Sequence, residues 1–158
     1  MGTLQPSRYE DGRPMLFAGI RRKHTFARQS YDILRQWDDF QELGALPGQV
    51  GATAYGAICG GDPNTQTMEY MCAVEVQTFD ALPKELGRMR VPAVRYAVFS
   101  HAGNVATIQS TWREIFSQWL PSSGLRSANT PDFEVYAASF DGQTGEGGVE
   151  IWLGVQSV

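Results

Sequence analysis

Two similar patterns of hydrophobic and polar residues follow one another along the chain. The apolar run Phe17-Ala18-Gly19-Ile20 matches Tyr96-Ala97-Val98-Phe99 about 79 residues later, and a segment with helical spacing follows each run. The same offset aligns three large side chains of each helical segment: Ile33, Trp37 and Phe40 with Trp112, Phe116 and Trp119. Because a repeat of this kind marks a duplicated structural unit, we expect two copies of one element.

The second helical segment has the clearest pattern in the chain. Its apolar residues recur at steps of three and four, which predicts that they share one helical face. These residues are Val105, Ile108, Trp112, Ile115, Phe116 and Trp119. Gly44 lies just past the first helical segment, where it suits a left-handed cap. Pro121 follows Leu120, where we expect the second helix to end.

A hairpin is predicted after each helix. The apolar runs 52–59 and 68–77 form the first pair, and the runs 132–140 and 148–156 form the second. Paired apolar runs separated by glycine are typical of β-hairpins, so the segments between them are predicted as turns. These segments contain Gly60-Gly61-Asp62-Pro63 and Gly145-Glu146-Gly147-Gly148.

Together the elements predict an α+β fold with an antiparallel sheet and two long helices. Repeat one covers about 14–77, a linker covers 78–90, and repeat two covers about 91–156. Neither strand-helix-strand-strand unit can cover its apolar surfaces alone, so we expect one domain over 1–158 with pseudo-twofold symmetry. Ligand sites are favoured between packed units, which predicts a cavity on the pseudo-axis.

An acidic residue in an apolar strand is the first candidate for chemistry. Within the run 132–140, alternation puts Glu134 on the same face as Tyr136 and Phe140. A carboxylate among aromatic rings is costly unless hydrogen bonds compensate for the lost water. Buried titratable groups in clefts are therefore candidates for function. The alternative is that Glu134 lies on the solvent face of an edge strand.

Aromatic residues are the second signal, since the chain has four tryptophans and six tyrosines. Those in the repeated elements are Trp37, Tyr55, Tyr70, Tyr96, Trp112, Trp119, Tyr136 and Trp152. Any one of them fits a core position. Rings around an acid also suit a cation, through cation–π contacts of about 0.5–2 kcal/mol each and a charge-assisted hydrogen bond. The combination favours flat, lipophilic cations as ligands.

Charge and hydropathy exclude two classes of partner. The formal net charge is −4, and the 13 lysines and arginines are scattered apart from Arg21-Arg22-Lys23. We therefore expect no direct binding to nucleic acid. No stretch approaches the roughly 18 apolar residues of a membrane span, and no export signal is recognisable. We expect a cytoplasmic protein that does not bind membranes.

Motifs for metal, cofactor or nucleophile chemistry are missing from the sequence. His24 and His101 have no ligand-like spacing with the cysteines and are predicted as ordinary polar residues near strand ends. No metal site and no cofactor are expected. Cys59 and Cys72 lie in apolar runs, which is typical of buried free thiols, although a disulfide across the hairpin stays open.

Three segments of the second half have an order and spacing that are together specific. They are Tyr96-Ala97-Val98-Phe99 with His101 and Gly103, then Trp119-Leu120-Pro121-Ser122-Ser123-Gly124, then Phe133-Glu134-Val135-Tyr136. This arrangement resembles the GyrI-like (gyrase-inhibitory-protein-like) family, which includes effector-binding domains of AraC-type and MerR-type multidrug regulators. In the first half, Leu34 to Phe40 resembles the family's helix and Tyr55-Gly56 its next strand. The resemblance runs from about Pro14 to Val155.

The resemblance implies a ligand cavity between the halves and a pocket glutamate that matches Glu134. It also implies aromatic pocket walls, for which the candidates are Trp37, Tyr55, Tyr96, Trp112 and Tyr136. In the regulators a helix-turn-helix DNA-binding domain precedes this module, and nothing before residue 14 predicts one. We therefore expect a stand-alone effector-binding domain.

Three functions are compatible with these features. The first is binding of lipophilic, often cationic, small molecules, with a link to transcription regulation. The second is hydrolysis of small electrophilic compounds, with Glu134 and Tyr136 as a general base and acid. The third is interaction with a protein partner, either a DNA-binding regulator or a gyrase that the chain inhibits or protects.

Overall fold

The computed structural model describes residues 4–62, 64–142 and 144–158. Two compact units contain them: Pro14–Val91, and strand β1 (Arg8–Asp11) together with Pro92–Val158. Each unit contains a strand, a helical segment and further antiparallel strands in that order. The α+β class and the antiparallel pairing predicted from the sequence are confirmed. No helix in the described ranges is long and apolar enough to cross a membrane.

The first unit, Pro14–Val91, has four strands in the order β3-β4-β2-β5. Its elements are β2 (Met15–Thr25), α1 (Gln29–Glu42), β3 (Gln49–Asp62), β4 (Thr67–Val76) and β5 (Gly87–Val91). Strand β5 lies mostly within the segment predicted as a linker and pairs with β2. Its buried residues Met89 and Val91 extend the apolar surface of the sheet.

Helix α1 covers one face of this sheet. Phe40 packs into a buried cluster with Ala18, Cys72 and Val74 from the central strands. The helix is also tied to the sheet by Gln36, whose Nε2 donates to the Ile20 carbonyl at 2.7 Å. Gly44, at φ +68°, provides the predicted left-handed termination.

His24 is buried, at 4% exposure, rather than an ordinary polar residue at a strand end. Its Nε2 lies 2.6 Å from Gln36 Oε1, so the imidazole joins the end of β2 to the middle of α1. Burial of a polar ring is tolerated when its nitrogen has a hydrogen-bonding partner.

The prediction of a turn at Gly60 and Gly61 is wrong. Strand β3 continues to Asp62, and the pairing with β4 shifts register between Ile58 and Gly61. Gly60 has φ +118°, a conformation that favours glycine, so these residues form an irregularity within the strand.

The two cysteines are free thiols. Cys72 is buried in β4 opposite Gly56, so Cys59 is not its partner across the hairpin. Burial raises the pKa of Cys59 to about 11, which keeps this thiol protonated at neutral pH.

The second unit has the strand order β1-β6-β9-β8, with β7 also paired to β9. Its strands after β1 are β6 (Arg95–His101), β7 (Leu125–Ser127), β8 (Asp132–Tyr136) and β9 (Val149–Ser157). Its helical segment runs from a 3₁₀ turn (Val105–Thr107) through α2 (Ile108–Glu114) and a π-helical turn (Ile115–Trp119) to α3 (Leu120–Ser122).

The large apolar residues of the π-helical turn differ in exposure. Ile115 and Trp119 are 0% and 3% exposed, but Phe116 is 44% exposed. The prediction that Phe116 shares the buried face is therefore wrong. The helical segment also continues through Pro121 to Ser122, so the prediction that it ends at Leu120 is wrong.

Strand β8 is shorter than the predicted run 132–140. It ends at Tyr136, and the chain then turns so that the Phe140 N–H donates to the Ala137 carbonyl at 2.9 Å. Phe140 nevertheless reaches the same side as Tyr136, because their rings meet edge to face with centroids 4.8 Å apart.

Candidate functional site

Glu134 is a buried carboxylate held by two aromatic donors. It is 4% exposed, in the middle of β8. The Trp112 indole Nε1 donates to Oε2 at 2.8 Å, and the Tyr136 hydroxyl donates to Oε1 at 2.6 Å. Each carboxylate oxygen therefore has an aromatic partner, and the alternative of a solvent-facing Glu134 is wrong.

The elements around this site fix the positions of all three residues. Glu134 and Tyr136 share a strand face because they are two residues apart. Trp112 comes from α2, which is anchored by the buried Ile108 and by Trp119, whose ring packs against Phe99 of β6 at 4.9 Å. A helix packed on a hydrogen-bonded sheet thus holds the polar atoms of the three side chains within hydrogen-bonding distance.

Two further rings extend the aromatic surface away from the carboxylate. Phe116 stacks on Trp112 with ring centroids 6.0 Å apart and an interplanar angle of 11°. Phe140 contacts Tyr136 edge to face. We call Trp112, Phe116, Glu134, Tyr136 and Phe140 the Glu134 cluster, and all five belong to the second unit.

The Glu134 cluster places a buried carboxyl group among aromatic rings. Both donors are neutral side chains, and their hydrogen bonds fix the positions of the two carboxyl oxygens. Indole and phenol rings also present negative faces to cations. The arrangement suits a positively charged, apolar ligand.

Tyr96 lies on the other face of the same sheet. Its ring packs against Phe133 and Trp152, each with centroids 5.3 Å away. Phe133 and Glu134 are consecutive in β8 and therefore point to opposite faces. The structure does not bring Tyr96 into the Glu134 cluster.

A second carboxylate, Asp132, lies near Tyr96. Burial raises the pKa of Asp132 to about 7, and the Gly154 N–H, which donates to Oδ1 at 2.9 Å, opposes that shift. Burial, and secondarily the charge of Asp132, raises the pKa of Tyr96 to about 12. The Tyr96 hydroxyl has no hydrogen-bond partner among the described residues.

Trp37 and Tyr55 belong to the first unit. The Trp37 Nε1 donates to the Tyr70 hydroxyl at 3.2 Å, and its ring meets Phe40 edge to face, so Trp37 lies between α1 and the sheet. Tyr55 stacks on Phe17 at 4.5 Å. Their roles in ligand binding stay predictions from the sequence.

His101 has the same structural role in the second unit that His24 has in the first. It is 6% exposed, and its Nδ1 lies 2.7 Å from Thr111 Oγ1 on α2. Its Nε2 lies 2.8 Å from the Asn104 carbonyl. These contacts join the end of β6 to the helix that carries Trp112.

Residues 12–155 match the family model described as integron-associated effector binding protein. The chain belongs to this family of effector-binding proteins. The GyrI-like resemblance is confirmed at the same time, since the fold is the one predicted from it. Among curated proteins, the transcriptional regulator BrlR of Pseudomonas aeruginosa is 37% identical over 89 residues, which cover 56% of this chain. The match spans about a third (32%) of BrlR.

Two solved structures illustrate the similarity of fold. SAV2435 bound to tetraphenylphosphonium has a TM-score of 0.73 at 21% identity, covering 94% of this chain and 93% of that one. An integron cassette protein of Vibrio cholerae has a TM-score of 0.68 at 19% identity, covering 97% of both chains. At these identities the likeness concerns the fold.

The candidate ligand-binding residues predicted from the sequence did not include Phe116 or Phe140, and the buried Asp132 was not singled out. Phe116 was assigned to the core, although its four-residue spacing from Trp112 indicates a stacked pair. Phe140 was placed correctly relative to Tyr136 but within a strand that ends earlier. Asp132 carried no signal, because a strand-terminal aspartate is ordinarily solvated.

Replacing Tyr136 with phenylalanine is expected to lower the free energy of unfolding by about 1.5–3 kcal/mol. The change removes the hydroxyl that donates to Glu134 Oε1 and leaves that buried oxygen without this bond. Chemical denaturation followed by tryptophan fluorescence measures the effect. Tyr9→Phe, at an exposed position, is the control and should change stability by less than about 0.5 kcal/mol. Equal stability of the two variants would argue against a structural role for the bond.

Proposed function

We propose that this effector-binding chain takes lipophilic cations at the Glu134 cluster. The observation that carries the proposal is the buried Glu134 carboxylate, fixed by Trp112 and Tyr136 at 2.8 and 2.6 Å. Trp112 and Tyr136 orient the carboxylate, while their ring faces and those of Phe116 and Phe140 supply apolar surface. A cation would gain both a charge interaction and cation–π contacts.

Two further facts support this proposal. The family is described as effector-binding, and one solved structure of similar fold, SAV2435, was determined with the cation tetraphenylphosphonium. Tetraphenylphosphonium combines a delocalised positive charge with four phenyl rings. An acidic aromatic cluster matches both properties.

Binding is better supported than hydrolysis by Glu134 and Tyr136. A general base must accept a proton from water or substrate. Both Glu134 oxygens already accept hydrogen bonds from fixed donors, so a proton from water or substrate would have to compete with these two bonds. The same two bonds hold the anion in place for a cationic ligand.

The test is a calorimetric titration with two ions of the same shape and opposite charge, tetraphenylphosphonium and tetraphenylborate. The wild-type protein is expected to bind the cation and to discriminate against the anion. Glu134→Gln should weaken binding of the cation by about ten- to a hundredfold, because the side chain keeps its size but loses its charge. The melting temperature should rise with the cation concentration for wild type, since a ligand of the folded state stabilises it.

Glu114→Gln is the matched control, because it makes the same chemical change at an exposed position of α2. It should bind tetraphenylphosphonium as wild type does. If both substitutions weakened tetraphenylphosphonium binding equally, the effect would come from the net charge of the protein. The assignment of Glu134 as the binding residue would then be wrong. Equal affinity of wild type for the cation and the anion would show that the protein does not recognise the charge of its ligand.

A further inference from the structure

We infer that Phe116 is a specificity-determining residue of the Glu134 cluster, which selects cations carrying aromatic rings over aliphatic cations. This inference rests on the proposed function and adds to it the chemical class of ligand and a residue outside the carboxylate's direct contacts. It starts from geometry: the Phe116 ring lies nearly parallel to Trp112, at 11° and 6.0 Å between centroids.

Phe116 forms the solvent-facing layer of this stack. It is 44% exposed, whereas Glu134 is 4% exposed. Trp112 lies between them, with its ring against Phe116 and its Nε1 on the carboxylate. A ligand that comes from solvent toward Glu134 along this side therefore meets the Phe116 ring first.

Phe116 lies inside the π-helical turn, between two buried residues. Ile115 and Trp119, at its two ends, are both buried and anchor the turn in the core. Phe116, next to the first anchor, remains outside and stacked on Trp112, which lies one turn earlier. Single π-helical turns inside α-helices are frequent at functional sites because they reposition side chains in this way.

The chemistry of Phe116 gives it a selective role. A phenyl ring offers no hydrogen bond and no charge, so it contributes ring stacking and apolar contact only. Aromatic pairs gain affinity beyond their contact area when their rings stack offset or edge to face. Phe116 should thus favour aromatic ligands and leave the charge preference to Glu134.

The experiment compares two cations of the same charge, tetraphenylphosphonium and tetrabutylphosphonium, in wild type and Phe116→Leu. Leucine keeps an apolar side chain and removes the ring. The variant is expected to bind tetraphenylphosphonium about three- to tenfold more weakly and tetrabutylphosphonium within twofold of wild type. Tyr31→Leu, an aromatic residue 57% exposed on α1, is the control and should change neither affinity.

Two results would overturn the inference while leaving the proposed function intact. One is unchanged tetraphenylphosphonium affinity in Phe116→Leu, with Glu134→Gln still weakening it. The other is an equal loss for both cations, which would make Phe116 a general apolar contact. If wild type binds neither cation, the proposed function fails and the inference fails with it. Melting temperatures of both leucine variants, measured without ligand, should lie close to wild type because both side chains are exposed.

Discussion

Replacing Gly19 with alanine is expected to lower the melting temperature by about 6–12 °C. A Cβ atom at this position would lie 1.8 Å from the Cys72 carbonyl oxygen and 2.9 Å from the Ala73 Cα. Both atoms belong to the backbone of β4, which is paired on both sides and has little freedom to move. Overpacking against such atoms costs about 3 kcal/mol or more, and each kcal/mol shifts the melting temperature of a chain of this size by about 2–4 °C.

Gly61→Ala is the matched control for Gly19→Ala. It makes the same change in a strand of the same unit, but its nearest contact would be the Thr67 carbonyl oxygen at an ordinary 3.5 Å. Its melting temperature should stay within a few degrees of wild type. Thermal denaturation by circular dichroism measures both variants. If Gly19→Ala had the same melting temperature as the control, the backbone of β4 would be able to shift away from the added Cβ atom.

The stability of wild type is expected to fall as the pH rises from about 4 to about 7, owing to Asp132. Burial raises the pKa of this carboxyl to about 7 in the folded chain, against 3.8 in the unfolded chain. The folded state therefore binds the Asp132 proton more tightly, and the stabilisation is fully present below about pH 4 and lost by about pH 7. The full difference is on the order of 2–4 kcal/mol.

Asp132→Asn isolates this contribution, because asparagine can still accept the Gly154 N–H bond but does not ionise. The variant should be more stable than wild type at pH 8 and similar to it at pH 4. Glu150 has the opposite effect on the pH dependence of stability, because its hydrogen bond from Arg8 lowers its pKa. The stability that this pair contributes is therefore lost only below about pH 4.5. Asp38→Asn, at an exposed position, should keep the wild-type profile. Parallel pH profiles for wild type and Asp132→Asn would falsify the assignment.

Alternation along β8 was sufficient to predict that Glu134 and Tyr136 share a face. This prediction needed only that two-residue spacing brings side chains to one side of a strand. The contact between Trp112 and Glu134 could not be predicted in the same way. It depends on how α2 is rotated over the sheet, and residues 22 positions apart carry no local signal for that angle.

The position of Tyr96 shows a second limit of sequence patterns. Tyr96, Ala97, Val98 and Phe99 are all 0% exposed, so β6 is apolar on both faces. Alternation puts Tyr96 and Phe99 on opposite faces of the sheet but does not indicate on which face the helix packs. A strand buried on both sides reads as a continuous apolar run, and the helix side is decided by tertiary packing.

The π-helical turn is the third feature that the sequence did not reveal. The spacing of Trp112, Ile115, Phe116 and Trp119 fits a regular α-helix, and the prediction placed all four on one face. In the structure a π-helical turn replaces a regular turn here, and Ile115 and Trp119 are buried whereas Phe116 is exposed. The exposure of Phe116, and with it the inference on ligand class, therefore came from the structure.

The second unit is built from segments at both ends of the sequence, and this affects the order in which the chain can fold during synthesis. Strand β1 pairs with β6, whose other neighbour, β9, ends at Ser157. On the ribosome, the strands of Pro14–Val91 can pair with one another while β1 still lacks its partner. Strand β9 pairs with β8 and is translated after Trp112, Glu134 and Tyr136. The unit that carries the candidate site is thus completed after the first unit, once β9 has left the ribosome.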